Sequence, residues 1–172
     1  MVENNLQAKF DEKVKGLEKE LPNRTVGVNC AELTLTSILE VLNVDNYMFH
    51  NIAKPLAGGF GGYKSKEGWM GACGAVTGAC AAIGAIMGGR KLMDDDTMAL
   101  AYFKAAKYCS EFEKQFGSVI CSELCGYDFS QSENYLQYRE KGVWQKTCYK
   151  FVVWAVDTIR NLTREELDKN WE

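Results

Sequence analysis

The chain has 172 residues, 47% of them hydrophobic and 25% charged, which suits one globular domain large enough to bury a real core. Its formal charge of −3 argues against nucleic acid as a partner, because phosphate binding needs a basic face. Only two prolines, Pro22 and Pro55, interrupt it, and that scarcity favours long helices.

The first twenty residues carry charges throughout and no apolar signal stretch, so a cytoplasmic location is expected. Residues 4–21 predict an amphipathic helix with Leu6, Phe10, Val14, Leu17 and Leu21 on one face, ended by Pro22 and Asn23. Residues 1–24 are thus an N-terminal amphipathic helix, 25–162 a cysteine-bearing core, and 163–172 a C-terminal turn. Asn29 and Glu32 have the spacing of a capping box, predicting a second helix in which Cys30, Leu33, Ile38, Val41 and Leu42 supply apolar surface. Residues 46–54 predict a short helix ending before Pro55. Ala57-Gly58-Gly59-Phe60-Gly61-Gly62 reads as a loop that permits tight turns and close backbone approach. A phosphate cradle would need a preceding strand and a following Gly-Lys-Ser/Thr, and neither is present.

Residues 68–89 carry no charge. The stretch is long enough for a membrane span but poor in Leu, Ile and Phe, so a buried helix, apolar all round, is the better reading. Gly71, Ala75, Gly78, Ala82, Ala85 and Gly89 form a stripe of small residues on which another helix could pack closely. Asp94, Asp95 and Asp96 read as the capped start of the next helix, with Met98, Tyr102, Ala105, Cys109, Phe112 and Phe116 as its buried stripe and Gly117 as its C-cap. A short helical turn is expected from Cys121 to Cys125, and irregular chain over 126–143. Residues 145–162 predict another long helix with Cys148, Val152, Ala155, Ile159 and Leu162 on one face, and Thr163 with Glu166 a final capped turn. No period-2 strand and no long repeat is visible. The expected fold is therefore all-α, a single-domain bundle of five to six helices around a Gly/Ala-rich central helix.

Seven cysteines and one histidine, His50, frame the chemistry. With no signal stretch, such cysteines read as buried, metal-binding or catalytic rather than as a disulfide scaffold. Cys30 would sit in the first turn of a helix, where the dipole and free N–H groups favour a thiolate. Cys73 follows the glycine loop and also falls near a helix start. Cys80 lies two turns beyond it, about 10 Å along the axis, and reads as core; so does Cys109. Cys121 and Cys125 are neighbours on a helix and could reach one metal or cluster. Cys148 alone would read as core. His50 reads as a helix-end or surface residue.

Cys30-Ala31-Glu32, the Phe60-Gly61-Gly62 loop, Cys73-Gly74-Ala75-Val76-Thr77-Gly78, Phe116-Gly117-Ser118-Val119-Ile120-Cys121 and the late Cys148 occur in that order. In these motifs the chain resembles the C-GCAxxG-C-C family of redox-active proteins, itself similar to the cluster-bearing part of split-Soret cytochromes. The resemblance implies a helical fold, a ligand set of Cys30, Cys73, Cys121 and Cys148, and an iron–sulfur cluster serving electron transfer to a partner protein. Cys125, one turn from Cys121, is the reserve ligand. Two other readings stay open. One is a thiol–disulfide or sulfur-transfer enzyme using Cys30 and Cys73 as activated thiols. The other is a structural zinc protein on the same ligands. The aromatics Trp144, Tyr149 and Trp154 flanking the last long helix suggest a homodimer, or else internal packing.

Overall fold

The computed structural model describes residues 5–44, 46–62, 65–66 and 68–171; the side chains of residues 5 and 60–62 fall outside that set. Among the described residues the structure is all-α with no strand, and the extended contacts are two isolated bridges, Ser65 with Gly68 and Ala72 with Ile120.

Five longer helices make the bundle: α1 (Asn5–Glu20), α2 (Cys30–Val41), α5 (Gly74–Gly88), α6 (Asp95–Phe116) and α9 (Tyr149–Leu162). Short ones fill the gaps: α3 (Tyr47–Ala53), α4 (Ala57–Gly62), α7 (Cys121–Cys125), α8 (Ser132–Glu140) and α10 (Arg164–Asn170). Pro22 falls in a 3-10 turn, Leu21–Asn23, that closes α1, and Pro55 in a second one, Lys54–Leu56, that closes α3. The start of α2 is capped as the sequence predicts, with the Asn29 side chain accepting from the Glu32 N–H at 2.9 Å. The reciprocal half of the box is absent. The Glu32 carboxylate turns instead to His50 Nδ1 at 3.0 Å and Lys54 Nζ at 3.7 Å, tying α2 to the end of α3.

Helix α5 is the centre. Ala75, Val76, Gly78, Ala79, Ala82, Ile83, Ile86 and Met87 are buried along it, as its uncharged sequence predicts. No helix is long and apolar enough to cross a membrane among the described residues. The small-residue stripe is shorter than expected, because Gly71 precedes the helix and Gly89 is its C-cap. Gly78 of that stripe, with Gly74 one turn before it, faces α2. A Cβ on Gly74 would meet Cys30 Sγ at 2.3 Å, and one on Gly78 would meet the Ala31 carbonyl oxygen at 2.4 Å. Glycine at these two positions therefore sets how closely α2 and α5 approach.

Other expectations shift. The segment 57–62, expected as a loop, closes into the helical turn α4, with Gly58 and Gly59 in left-handed backbone at φ +60° and +68°. Helix α6 begins at the Asp94 cap and ends at left-handed Gly117 as predicted. Its buried face, however, is Ala101, Tyr108 and Phe112; Met98 and Tyr102 are exposed. The strongest apolar anchor decides the rotation. Phe112 rings meet Phe116 at 4.8 Å and Trp154 at 5.6 Å, and Tyr108 meets Trp154 at 5.8 Å. Each such ring, fully buried, contributes about 1.5–3 kcal/mol. Residues 126–143 are not wholly irregular, since α8 forms within them without burying a residue. The C-terminal turn is the seven-residue α10, and Thr163 does not cap it; its hydroxyl donates back to the Ile159 carbonyl at 2.8 Å.

Of the aromatics that suggested a dimer, Trp144 is buried, and Tyr149 and Trp154 are partly buried against the core. The Trp144 indole N–H donates to the Leu21 carbonyl at 3.0 Å, and Trp154 joins the Phe112–Phe116–Phe151 cluster.

Candidate functional site

Three of the family-motif cysteines fall at helix starts. Cys30 is the first residue of α2, Cys73 is the N-cap of α5, and Cys121 is the first residue of α7. Cys148 ends a π-helical turn, Trp144–Cys148, that leads into α9. The segments that carry Cys73 and Cys121 are fastened to each other. Cys73 N–H donates to the Val119 carbonyl at 2.7 Å, and Cys121 N–H donates to the Gly71 carbonyl at 3.0 Å. Ser122 Oγ adds a bond to the Trp69 carbonyl at 2.6 Å. The Gly74 close approach then sets Cys30 beside Cys73.

The result is one solvent-connected cavity of about 790 Å³ whose wall includes Cys30, Cys73, Cys121, Cys125 and Cys148. Lys54, Arg139 and Glu140 supply its charged wall, and Phe129, Tyr138, Trp144 and Phe151 its aromatic one. Cys80 and Cys109 lie outside it.

The thiols are not alike. Cys73 donates a hydrogen bond to Cys30 Sγ, and this, against the burial of Cys30, holds the Cys30 thiol down at about 7. Backbone N–H groups of Gly58, Gly74 and Cys30 itself also point at that sulfur. The same bond, with burial and the charge of Cys30, pushes Cys73 well up. Cys121 and Cys125 form a second pair, in which Cys121 is raised as the donor and Cys125 lowered as the acceptor. Burial pushes Cys148 up to about 12, although the Tyr138 hydroxyl hydrogen-bonded to it works the other way.

Among the described residues no group of three or more His, Cys, Asp or Glu side chains is set to hold one metal ion. A closed zinc site, which needs four donors around one ion, finds no such group here. The arrangement is two thiol pairs plus Cys148 around a shared space. His50 lies by Glu32, away from these sulfurs, as a partly exposed helix-end residue.

Sequence reasoning missed two things. The Gly58 and Gly74 N–H groups that serve Cys30 come from tertiary approach, and only the motif glycine hinted at it. Cys80 and Cys109, read as core, pack partly buried against it, but their pairing, with sulfurs 3.9 Å apart, was not foreseen.

The family model described as "Putative redox-active protein (C_GCAxxG_C_C)" matches residues 28–162. No curated protein and no solved structure matches the chain.

Proposed function

The chain belongs to the C-GCAxxG-C-C family of redox-active proteins, and from that premise we propose that its cavity cysteines hold an iron–sulfur cluster used in electron transfer. The observation that carries this reading is the convergence of five thiols from four separate segments on one cavity. Four thiolates are the usual ligand set of two-iron and four-iron clusters. Cys30, Cys73, Cys121 and Cys148 are the proposed ligands, with Cys125 in reserve. The cluster, when bound, would supply one-electron chemistry. The chain's own part is to hold the sulfurs and offset their charge. The N–H groups of Gly58 and Gly74 do so at Cys30, and the dipole at the start of α2 adds to them. Tyr138, Trp144, Phe129 and Phe151 keep that side of the cavity apolar and limit water. An electron-transfer partner would approach at the mouth, where Val26, Tyr135 and Leu136 are exposed.

A second reading has its own support in the Cys30–Cys73 pair. A thiol held near 7 with a neighbouring thiol is the arrangement of a dithiol exchanger. Cys30 thiolate would attack a substrate disulfide and release one thiol. Cys73 would then resolve the mixed disulfide, so that the pair gives up two electrons and two protons.

Anaerobic purification followed by visible absorption and iron and sulfide analysis separates the two. A brown protein is expected, bleached by Cys→Ser at 30, 73, 121 or 148 and not by Cys80→Ser. A colourless, iron-free protein that closes Cys30 to Cys73 with a small disulfide would reject the cluster in favour of exchange. Cys125→Ser tests whether position 125 replaces 148 as the fourth ligand.

A further inference from the structure

Cys80 sits in the second turn of α5 and Cys109 in the second half of α6, each partly open to solvent and neither on the cavity wall. Their sulfurs are 3.9 Å apart. We propose that Cys80 and Cys109 are a second redox-active dithiol, which closes to a disulfide between α5 and α6 when the protein meets a low-molecular-weight disulfide.

A disulfide bond is about 2.05 Å long, so the two sulfurs must approach by roughly 1.9 Å. The surroundings allow it. Gly84 lies one turn after Cys80, and a Cβ built there meets nothing within 4 Å. Ala105 lies one turn before Cys109 and is equally small. Both cysteines can therefore change rotamer with little resistance from their own helices. Both pack against the core at its margin and stay partly exposed, so a small disulfide is not shut out by full burial. The pair is also polarised. Either sulfur can donate in this contact; with Cys80 as the donor, the Cys109 thiol is held down at about 7 and Cys80 is pushed up. In that arrangement Cys109 is the thiolate of the pair and the attacking sulfur.

The step balances within these partners. Cys109 thiolate attacks one sulfur of the small disulfide, whose other half leaves as a thiolate. Cys80 loses its proton to solvent and attacks Cys109 Sγ in the mixed disulfide, releasing the second half. The protein gives up two electrons and two protons, and the small disulfide becomes two thiols. Closure would staple α6 to α5, the helix whose N-cap is Cys73. Tyr108, next to Cys109, already ties α6 to the first turn of that helix through its hydroxyl on the Ala75 carbonyl at 3.3 Å.

The test equilibrates the full chain anaerobically with oxidised and reduced glutathione at graded ratios, traps free thiols, and maps linked peptides. Trypsin puts Cys73 and Cys80 on one peptide after Lys66, so fragment spectra must tell them apart. A Cys80–Cys109 link is expected to form in the folded chain and to lose its preference in urea. Cys80→Ser should trap a glutathione adduct on Cys109, and Cys109→Ser should leave Cys80 unmodified. At pH 7 Cys109 should alkylate on the order of tenfold faster than Cys80. A folded chain with no 80–109 link at the most oxidising ratio overturns the proposal, as does a Cys80→Ser protein whose Cys109 stays free. Each link is read separately, so the outcome does not depend on what the cavity holds.

Discussion

Cys30 is the sulfur on which most groups converge: the Cys73 thiol first, then the N–H groups of Gly58, Gly74 and its own residue, all opposing the burial that would keep it neutral. Its lowered titration predicts a pH profile in the metal-free, reduced protein. Above about 7 Cys30 is thiolate and alkylates at its plateau rate. Below that point the thiol is protonated, and the rate should fall about tenfold for each further pH unit. Cys73→Ala removes the leading donor, so the midpoint should move up toward the ordinary thiol value near 9. Rates of iodoacetamide labelling at Cys30 across pH 5–10 check it, and a midpoint unmoved by Cys73→Ala would mean that the backbone donors alone hold the thiolate. Part of this was legible in the sequence. Asn29 and Glu32 place Cys30 at a helix start by local spacing alone. The donors from residues 58 and 74 were not, because no local pattern says which loop will meet a given sulfur. The pairing of Cys80 with Cys109, which pack partly buried against the core, was hidden for a related reason: which residues of two helices meet depends on how each helix is rotated in the bundle.

At the scale of elements, the Cys-Gly-Ala-x-x-Gly motif is a packing instruction as much as a chemical one. Gly74 and Gly78 lie one turn apart on α5 and both press on the first residues of α2, at Cys30 and Ala31. Gly78→Ala should destabilise by about 1–3 kcal/mol through overpacking, since its Cβ would meet rigid backbone. Gly84→Ala is the matched control on the same helix. With nothing near its Cβ it should stabilise by about 0.5–1 kcal/mol through helix propensity. Urea unfolding of the two variants gives both signs, and equal effects would show that the α2–α5 approach is not what Gly78 serves. The helices themselves were readable from 3.6-residue periodicity and caps, because these are local. The rotation of α6 was not, since Met98 and Tyr102 fit the stripe on paper while the aromatic cluster of Phe112, Phe116, Phe151 and Trp154 selects a different face. Helix α8 escaped detection because it buries no residue and so carries no apolar stripe.

At the scale of the molecule, the cavity is the seam between the two ends of the family-matched chain. Its walls come from α2, from the start of α5, from α7, from the stretch through α8 and from the turn before α9. The stretch between α7 and α9 is the least anchored of these. Helix α8 is held through ring contacts of Tyr135 and Tyr138 with Tyr127 and Phe129, and through the Tyr138 hydroxyl on Cys148. Segments with few buried contacts open at low free-energy cost. A group bound to sulfurs on three or more walls exists only when those walls are assembled, so its binding adds to folding stability. At a free concentration of 100 times Kd the gain is about 2.7 kcal/mol. For a chain of this size that raises the unfolding midpoint by roughly 5–10 °C. Reconstitution with ferrous iron and sulfide should therefore raise the melting temperature. In hydrogen exchange it should slow the amides of residues 121–140 beyond the general gain seen in α1, which sits outside the cavity. Iron that binds without moving the midpoint or those amides would be held elsewhere on the protein, and the five-thiol cavity would not be its site.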